Sequence, residues 1–421
     1  DEKNGEATLR LAGQRLRLKL MGYSPWVRVV FRGRLGVKIR GICRFYLRKV
    51  APDIELYVTP IQIDPNRPAL PISNPLTYAI YLAKLLGPFA TLGLAEDTWA
   101  LNERVLDDEA FLRQCWLIHH ERERMLFDAL EKTPRGACAC VFDIADRVQH
   151  MFYRYLESTH PSLRGTDPQP HRHLLDQLYE RMDDLVGQVM KRLGEKSVLI
   201  VMSDHGFAPF RRGVNLNSWL AQNGYLALKE GETPGEWFAN VDWSRSRAYA
   251  LGLCGLYLNL RGREARGTVT LDEAPGLKRE LISKLGGLRD QDTGELAILE
   301  VFDTAAIYNG PYVENAPDLI VGYNSGYRAS WEGATGRVDG AVFSDNTRNW
   351  SGDHCIHPRL VPGCFFSSRP ISKDRVAMAD LAPTILGLLG TPVPAYMEGT
   401  PLFSTSAHQG ETDARAQDQA G

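Results

Sequence analysis

The sequence predicts an α/β protein, a mostly parallel sheet flanked by helices, with a small antiparallel β subdomain ahead of it. Three observations predict this. Val198–Met202 is a short continuous apolar run, the pattern of a strand covered on both faces. A second run, Ala137–Phe142, precedes it, and between them Leu174, Leu178, Met182, Leu185, Val189 and Leu193 keep helical spacing. Strand, helix, strand implies parallel neighbours joined by a right-handed crossover. The first sixty residues read differently. Leu9, Leu11, Leu16, Leu18 and Leu20 alternate with polar residues around Gly13, as in a hairpin with one wet face.

Each element follows in order. Trp26–Phe31, Gly36–Leu47 and Ile54–Val58 continue the alternation, with Arg and Lys on the polar positions, where a solvated sheet face is the expected arrangement. Residues 60–75 are proline-rich and read as a linker or ordered loop. Residues 76–133 are helical in pieces, Phe111–Leu130 above all. Gly87–Glu103 either lines a pocket or holds a helix start capped near Asp97 or Thr98. The crossover helix spans 171–193, and Gly194 ends it. A helix near Asn215–Asn223, a strand pair around Ala248–Leu260, a helix at 273–285 and a strand at Pro317–Gly322 follow. A strand within Leu360–Phe366 and a helix over Arg375–Leu389 complete the body. The expected domains are a β-rich subdomain at 1–75, an α/β domain at 76–403 and a polar tail at 404–421, whose lack of apolar periodicity predicts disorder.

Composition bounds the function. The chain has 421 residues, 44% hydrophobic and 24% charged, enough for a sizeable core. A net charge of −2 gives no bulk electrostatic case for nucleic-acid binding. No apolar run reaches the ~18 residues of a membrane span. The seven cysteines lack zinc-ribbon spacing; Cys138 and Cys140 read as buried free thiols, which suits a reducing, cytoplasmic setting.

Three Asp/His clusters carry the chemistry. Asp204 and His205 follow the 198–202 run, and Gly206 lets the chain turn. In open α/β sheets, ligands bind beyond the carboxyl ends of strands. Asp146 and His150 follow the 137–142 run, four residues apart, which on a helix puts both on one face. The third cluster is Trp350–His357, in which His354 and His357 compete. Asp143, Asp353 and Asp380 read as supporting acids or helix caps, and His119, His120, His171, His173 and His408 as surface residues. Ser325–Arg328 is either an anion-contacting loop or an ordinary turn.

The order Asp-x-x-x-His, then Ser203-Asp-His-Gly206 after a strand, then Gly352-x-His354 before Val361-Pro-Gly363, resembles the alkaline phosphatase superfamily. Within it the pattern is closest to the type I phosphodiesterase/nucleotide pyrophosphatase branch. Asp380–Gly390 and Met397–Leu402 also resemble that superfamily's closing helix and loop. The resemblance is strong over 137–403 and thin before residue 75. It implies a metal-dependent phosphoester hydrolase acting on a small-molecule substrate. One ion, Zn²⁺ or alternatively Mn²⁺, would sit on Asp146, His150 and His354; a second would take Asp204 and His205, with a further Asp and a Thr or Ser nucleophile. Two cations ~4 Å apart clamp the attacking and leaving oxygens of an in-line displacement. Residues 1–136 contain no apolar strand ending in Asp followed by a Thr or Ser at a helix start, and the first residue is Asp1. The expectation is therefore that the nucleophile lies upstream of Asp1 and that this chain alone turns over little or no substrate. A phosphomutase with the same ligands and a non-catalytic metal-binding relative are the alternatives. Substrate identity and oligomeric state are not legible from the pattern.

Overall fold

The computed structural model describes residues 2–11, 13–232 and 235–403, so the tail expected at 404–421, with His408, lies outside the described residues. The chain divides into two compact units, one formed by Asp1–Met151 with Leu178–Arg192, the other by Phe152–Gln177 with Leu193–Gly421.

The first unit begins with antiparallel strands, as the alternation predicts. β1 (Glu6–Leu11) and β2 (Gln14–Lys19) form a hairpin in which Leu9 faces Leu16 and Arg10 faces Arg15, so leucines and arginines segregate to opposite faces. β3 (Val27–Arg32) pairs with β4 (Lys38–Cys43), and β5 (Phe45–Lys49) with β6 (Glu55–Val58); β7 (Gln62–Ile63) adds to β4 at only two positions, Gly41 and Ile42. Leu18, Val27, Cys43, Phe45 and Leu47 form the core of this subdomain, and Leu9, Leu11 and Leu16 pack on it.

Three helices follow, α1 (Thr77–Leu86), α2 (Thr98–Asn102) and α3 (Asp108–Lys132). Asp97 caps α2 by accepting from Ala100 N at 2.9 Å, and Asp107 caps α3 by accepting from Ala110 N at 2.8 Å. Asp108 and Glu109 in the first turn of α3 and Lys132 in its last complement the helix dipole. The Gly87–Glu103 stretch thus holds a capped helix start. Two further helices are α4 (Ile144–Phe152) and α5 (Leu174–Met190).

The second unit departs most from expectation. β8 (Ile200–Met202) is shorter than the apolar run that encodes it, and it pairs antiparallel with β17 (Phe365–Ser367). The parallel partner expected at 137–142 forms no strand. Cys138 and Cys140 are exposed rather than buried, and Val141 is 72% exposed. An apolar run reports that burial is wanted but not which backbone completes the ladder. Among the described residues the protein is mixed α/β, and its ladders are predominantly antiparallel.

The centre of this unit is β9 (Ala208–Val214). It pairs in parallel with β14 (Gly326–Ala329) and antiparallel with β15 (Phe343–Asp345) and β16 (Gly352–Asp353). Asn215 then caps α6 (Leu216–Gln222), accepting from Ser218 N. An antiparallel sheet runs in the order β10 (Ala248–Leu251), β11 (Gly255–Leu258), β13 (Leu319–Tyr323), β12 (Ile298–Asp303), with α7 (Ala274–Leu285) placing Leu277, Leu281 and Leu285 in the same core as Leu256, Leu258, Leu319 and Val321. The short helices α8 (Thr304–Ile307) and α9 (Trp331–Ala334) follow β12 and β14. The helix expected over 375–389 contracts to α10 (Leu381–Leu388) behind a 3-10 turn at Met378–Asp380. Asp380 is buried, binds Lys373 at 2.7 Å and accepts from Ala377 N and Thr400 N, which ties the closing loop to the helix start. No helix among the described residues is long and apolar enough to cross a membrane.

Candidate metal centre

In the first unit, α4 delivers the first pair of donors. The i, i+4 spacing holds as read: His150 Nε2 lies 3.4 Å from Asp146 Oδ1. His150 is 3% exposed, while the Asp146 side chain keeps an open edge. Arg147 contacts Asp146, and its Nε lies 3.6 Å from Glu96, a carboxyl that burial pushes above the usual range. A carboxylate oxygen and an imidazole nitrogen on successive turns are a donor pair suited to a divalent ion.

In the second unit, two loops are zipped together by backbone. Ser203 N donates to Cys364 O at 3.0 Å, and Gly206 N donates to Val361 O at 2.9 Å. A Cβ on Gly206 would lie 2.7 Å from Pro362 O, and one on Gly363 would lie 2.4 Å from Ser203 O. Gly206 therefore serves close backbone approach. This juncture carries Asp204 and His205. His205 Nδ1 lies 3.1 Å from Gly206 O. A carbonyl only accepts, so the proton sits on Nδ1, and Nε2 presents a lone pair, the tautomer a metal ligand needs. That Nε2 lies 3.6 Å from Asp204 Oδ1, whose side chain is largely exposed. His354 stacks on the same imidazole, ring centroids 3.5 Å apart and planes 13° from parallel, with Phe207 edge-on to both.

His354 is placed by its neighbour. Asp353 is 2% exposed, pairs with Arg328 at 2.7 Å and accepts from Trp350 Nε1 at 2.9 Å. Its other oxygen accepts from the backbone N of His354 and of Cys355 at 2.8 and 2.9 Å. The Arg328 guanidinium lies over the rings of Phe210 and Trp331 at 4.8 and 4.4 Å. Arg328 is thus a buried counter-ion that holds Asp353, not an anion-contacting loop residue. Sequence reading missed it because nothing in Ser325–Arg328 announces a distant acid. Asp353, His354 and Cys355 each offer a donor atom within 4.8 Å of the others. Both Asp353 oxygens are engaged by these partners, and burial pushes the Cys355 thiol up to about 12.

His357 has both nitrogens engaged. Nδ1 accepts from Arg359 N at 3.2 Å, and Nε2 donates to Glu300 at 3.0 Å. It is a buried cap on the turn at Pro358–Leu360. Two other histidines are buried, one of them against expectation. His119 is 2% exposed beside Glu123, and His160, unremarked in the sequence, is 2% exposed with Nε2 2.9 Å from Phe210 O. Burial lowers the pKa of both, His160 to about 4.

A family model, type I phosphodiesterase / nucleotide pyrophosphatase, matches residues 90–349. The match covers Asp146, His150, Asp204 and His205 and stops short of His354. No curated protein and no solved structure matches the chain.

Proposed function

The chain belongs to the type I phosphodiesterase / nucleotide pyrophosphatase family, and from that premise we propose that it is a phosphoric ester hydrolase dependent on divalent metal, most simply Zn²⁺. The observation that carries the reading is the family match over residues 90–349. The candidate ligands are Asp146, His150, Asp204, His205 and His354, following the superfamily's order of motifs.

The donor chemistry supports a fit. His205 holds the tautomer with a free Nε2, and Asp204 keeps an exposed carboxylate beside it. Imidazole and carboxylate together suit Zn²⁺, and Mn²⁺ at an oxygen-richer position. When bound, such ions polarise a phosphoryl oxygen and stabilise a leaving alkoxide. The chain's own residues do the positioning. Asp353 fixes the backbone at His354 through two accepted N–H bonds, and the paired glycines Gly206 and Gly363 fix the loop that presents Asp204 and His205.

A hydrolase, a phosphomutase and a non-catalytic metal binder are compared in one experiment. The chain, stripped with chelator and reloaded with Zn²⁺ or Mn²⁺, is assayed on bis-p-nitrophenyl phosphate and p-nitrophenyl phosphate. Metal-restored release of nitrophenol that His205→Ala abolishes supports the hydrolase. Absence of metal binding contradicts it; metal binding without nitrophenol release from either ester fits the non-catalytic reading and equally the expectation that this chain alone turns over little substrate. Exchange of phosphoryl between sugar positions without release of phosphate favours the mutase.

A further inference from the structure

The β3–β4 hairpin lies before residue 90, outside the family match. The first fifty residues carry thirteen Lys and Arg against three Asp and Glu, although the whole chain is at −2. A solvated sheet face would explain the basic positions if the alternate positions were covered. At this hairpin they are not.

The face that starts at buried Val27 and Cys43 runs outward through Val29 to Phe31 and Ile39, which are 48% and 52% exposed. Val37, opposite Gly33 at the tip, is 55% exposed. Ile61, which would meet a Cβ on Gly41 on this same face, is 50% exposed. The opposite face pairs Val30 with Arg40 and Arg32 with Lys38, and Arg34 sits in the turn. Arg32, Arg34, Lys38 and Arg40 make no ion pair among the described residues, whereas Arg28, nearer the body, pairs with Asp64. Because β7 pairs with β4 at Gly41 and Ile42 and the last backbone bond on that side is Asp64 N to Arg40 O, the hairpin overhangs from Arg40 to Val37, roughly 10 Å at strand rise. That length spans the ~5–10 Å depth of the headgroup and acyl boundary.

We propose that this hairpin docks tip-first on an anionic lipid bilayer. Phe31, Val37 and Ile39 enter the interface, and Arg32, Arg34, Lys38 and Arg40 form a collar that meets acidic headgroups. Charge complementarity selects an anionic partner and disfavours a second copy, whose hairpin would bring the same cations. The apolar residues select a bilayer over nucleic acid, which rewards stacking aromatics, where this tip has one aromatic among aliphatic residues.

The test is co-sedimentation of the full chain with vesicles of phosphatidylcholine alone and with about 30 mol% phosphatidylserine. The proposal expects binding to the acidic vesicles only, weakened by salt. Each neutralised cation should weaken partitioning about fivefold, so Arg32→Gln/Lys38→Gln should lose more than tenfold. Phe31→Ser/Ile39→Ser should lose about tenfold at unchanged charge. Both variants change exposed side chains, and circular dichroism melts matching the parent confirm that they fold. Four results overturn the proposal: no sedimentation with either vesicle; binding indifferent to Phe31→Ser/Ile39→Ser; retention of a short RNA or DNA duplex without vesicle binding, which reassigns the surface to nucleic acid; or lipid-free dimerisation that Phe31→Ser/Ile39→Ser abolishes, which makes it an interface between copies.

Discussion

Asp353 and Asp204 both precede a histidine in the same unit, yet they live in opposite conditions. Asp353 is closed: a buried guanidinium, an indole N–H and two backbone N–H groups take its acceptor capacity. Asp204 is open, its side chain 70% exposed beside His205. His357 and His205 repeat the contrast, one with both ring nitrogens engaged, the other with Nε2 presented. Groups that build the fold are saturated by the fold. Groups that hold a ligand are left unsaturated on a rigid support.

The contrast is sharpest in stability. Asp353→Ala strands the Arg328 charge in a buried site and should cost about 3–5 kcal/mol, read as the shift of the urea unfolding midpoint. A loss under about 1 kcal/mol would show that the network is not closed as described. Next is pH. His160 is held neutral by burial at about 4, below the ~6.5 of an unfolded imidazole. The native state binds fewer protons in that window, so the stability is present above pH ~6.5 and falls as pH drops towards 4, by up to about 1.4 kcal/mol per unit, levelling off below it. His160→Gln should flatten that slope. His357→Ala, which removes a cap and a partner for Glu300, should cost about 1–3 kcal/mol. Asp204→Asn should shift stability by no more than about 0.5 kcal/mol while weakening metal binding.

Much of this contrast could be read from residue types, and part could not. The spacing of Asp146 and His150 predicts one helical face, and α4 supplies it. Asp97 and Asn215 announce helix starts by their short acceptor side chains. The parallel pair of 137–142 with 198–202 failed because two apolar runs look alike whether or not they meet. Val141 is exposed, and β8 takes β17, a distant strand in which Phe366 pairs with Val201. Long-range partners escape local pattern altogether. Arg328 finds Asp353 and His357 finds Glu300 across loops that no periodicity encodes.

The central claim, that the open donors serve metal-dependent phosphoester chemistry, meets its most direct test in parallel titrations. Parent chain, His205→Ala, His354→Ala and His357→Ala are stripped of metal and titrated with Zn²⁺ by calorimetry, each sample then assayed on bis-p-nitrophenyl phosphate. The account predicts that His205→Ala and His354→Ala lose Zn²⁺ affinity at least tenfold, and with it any hydrolysis the parent chain shows, at near-parental stability. It predicts that His357→Ala loses stability but keeps affinity. Parental Zn²⁺ affinity in His205→Ala and His354→Ala, or no Zn²⁺ binding by the parent chain, would contradict it.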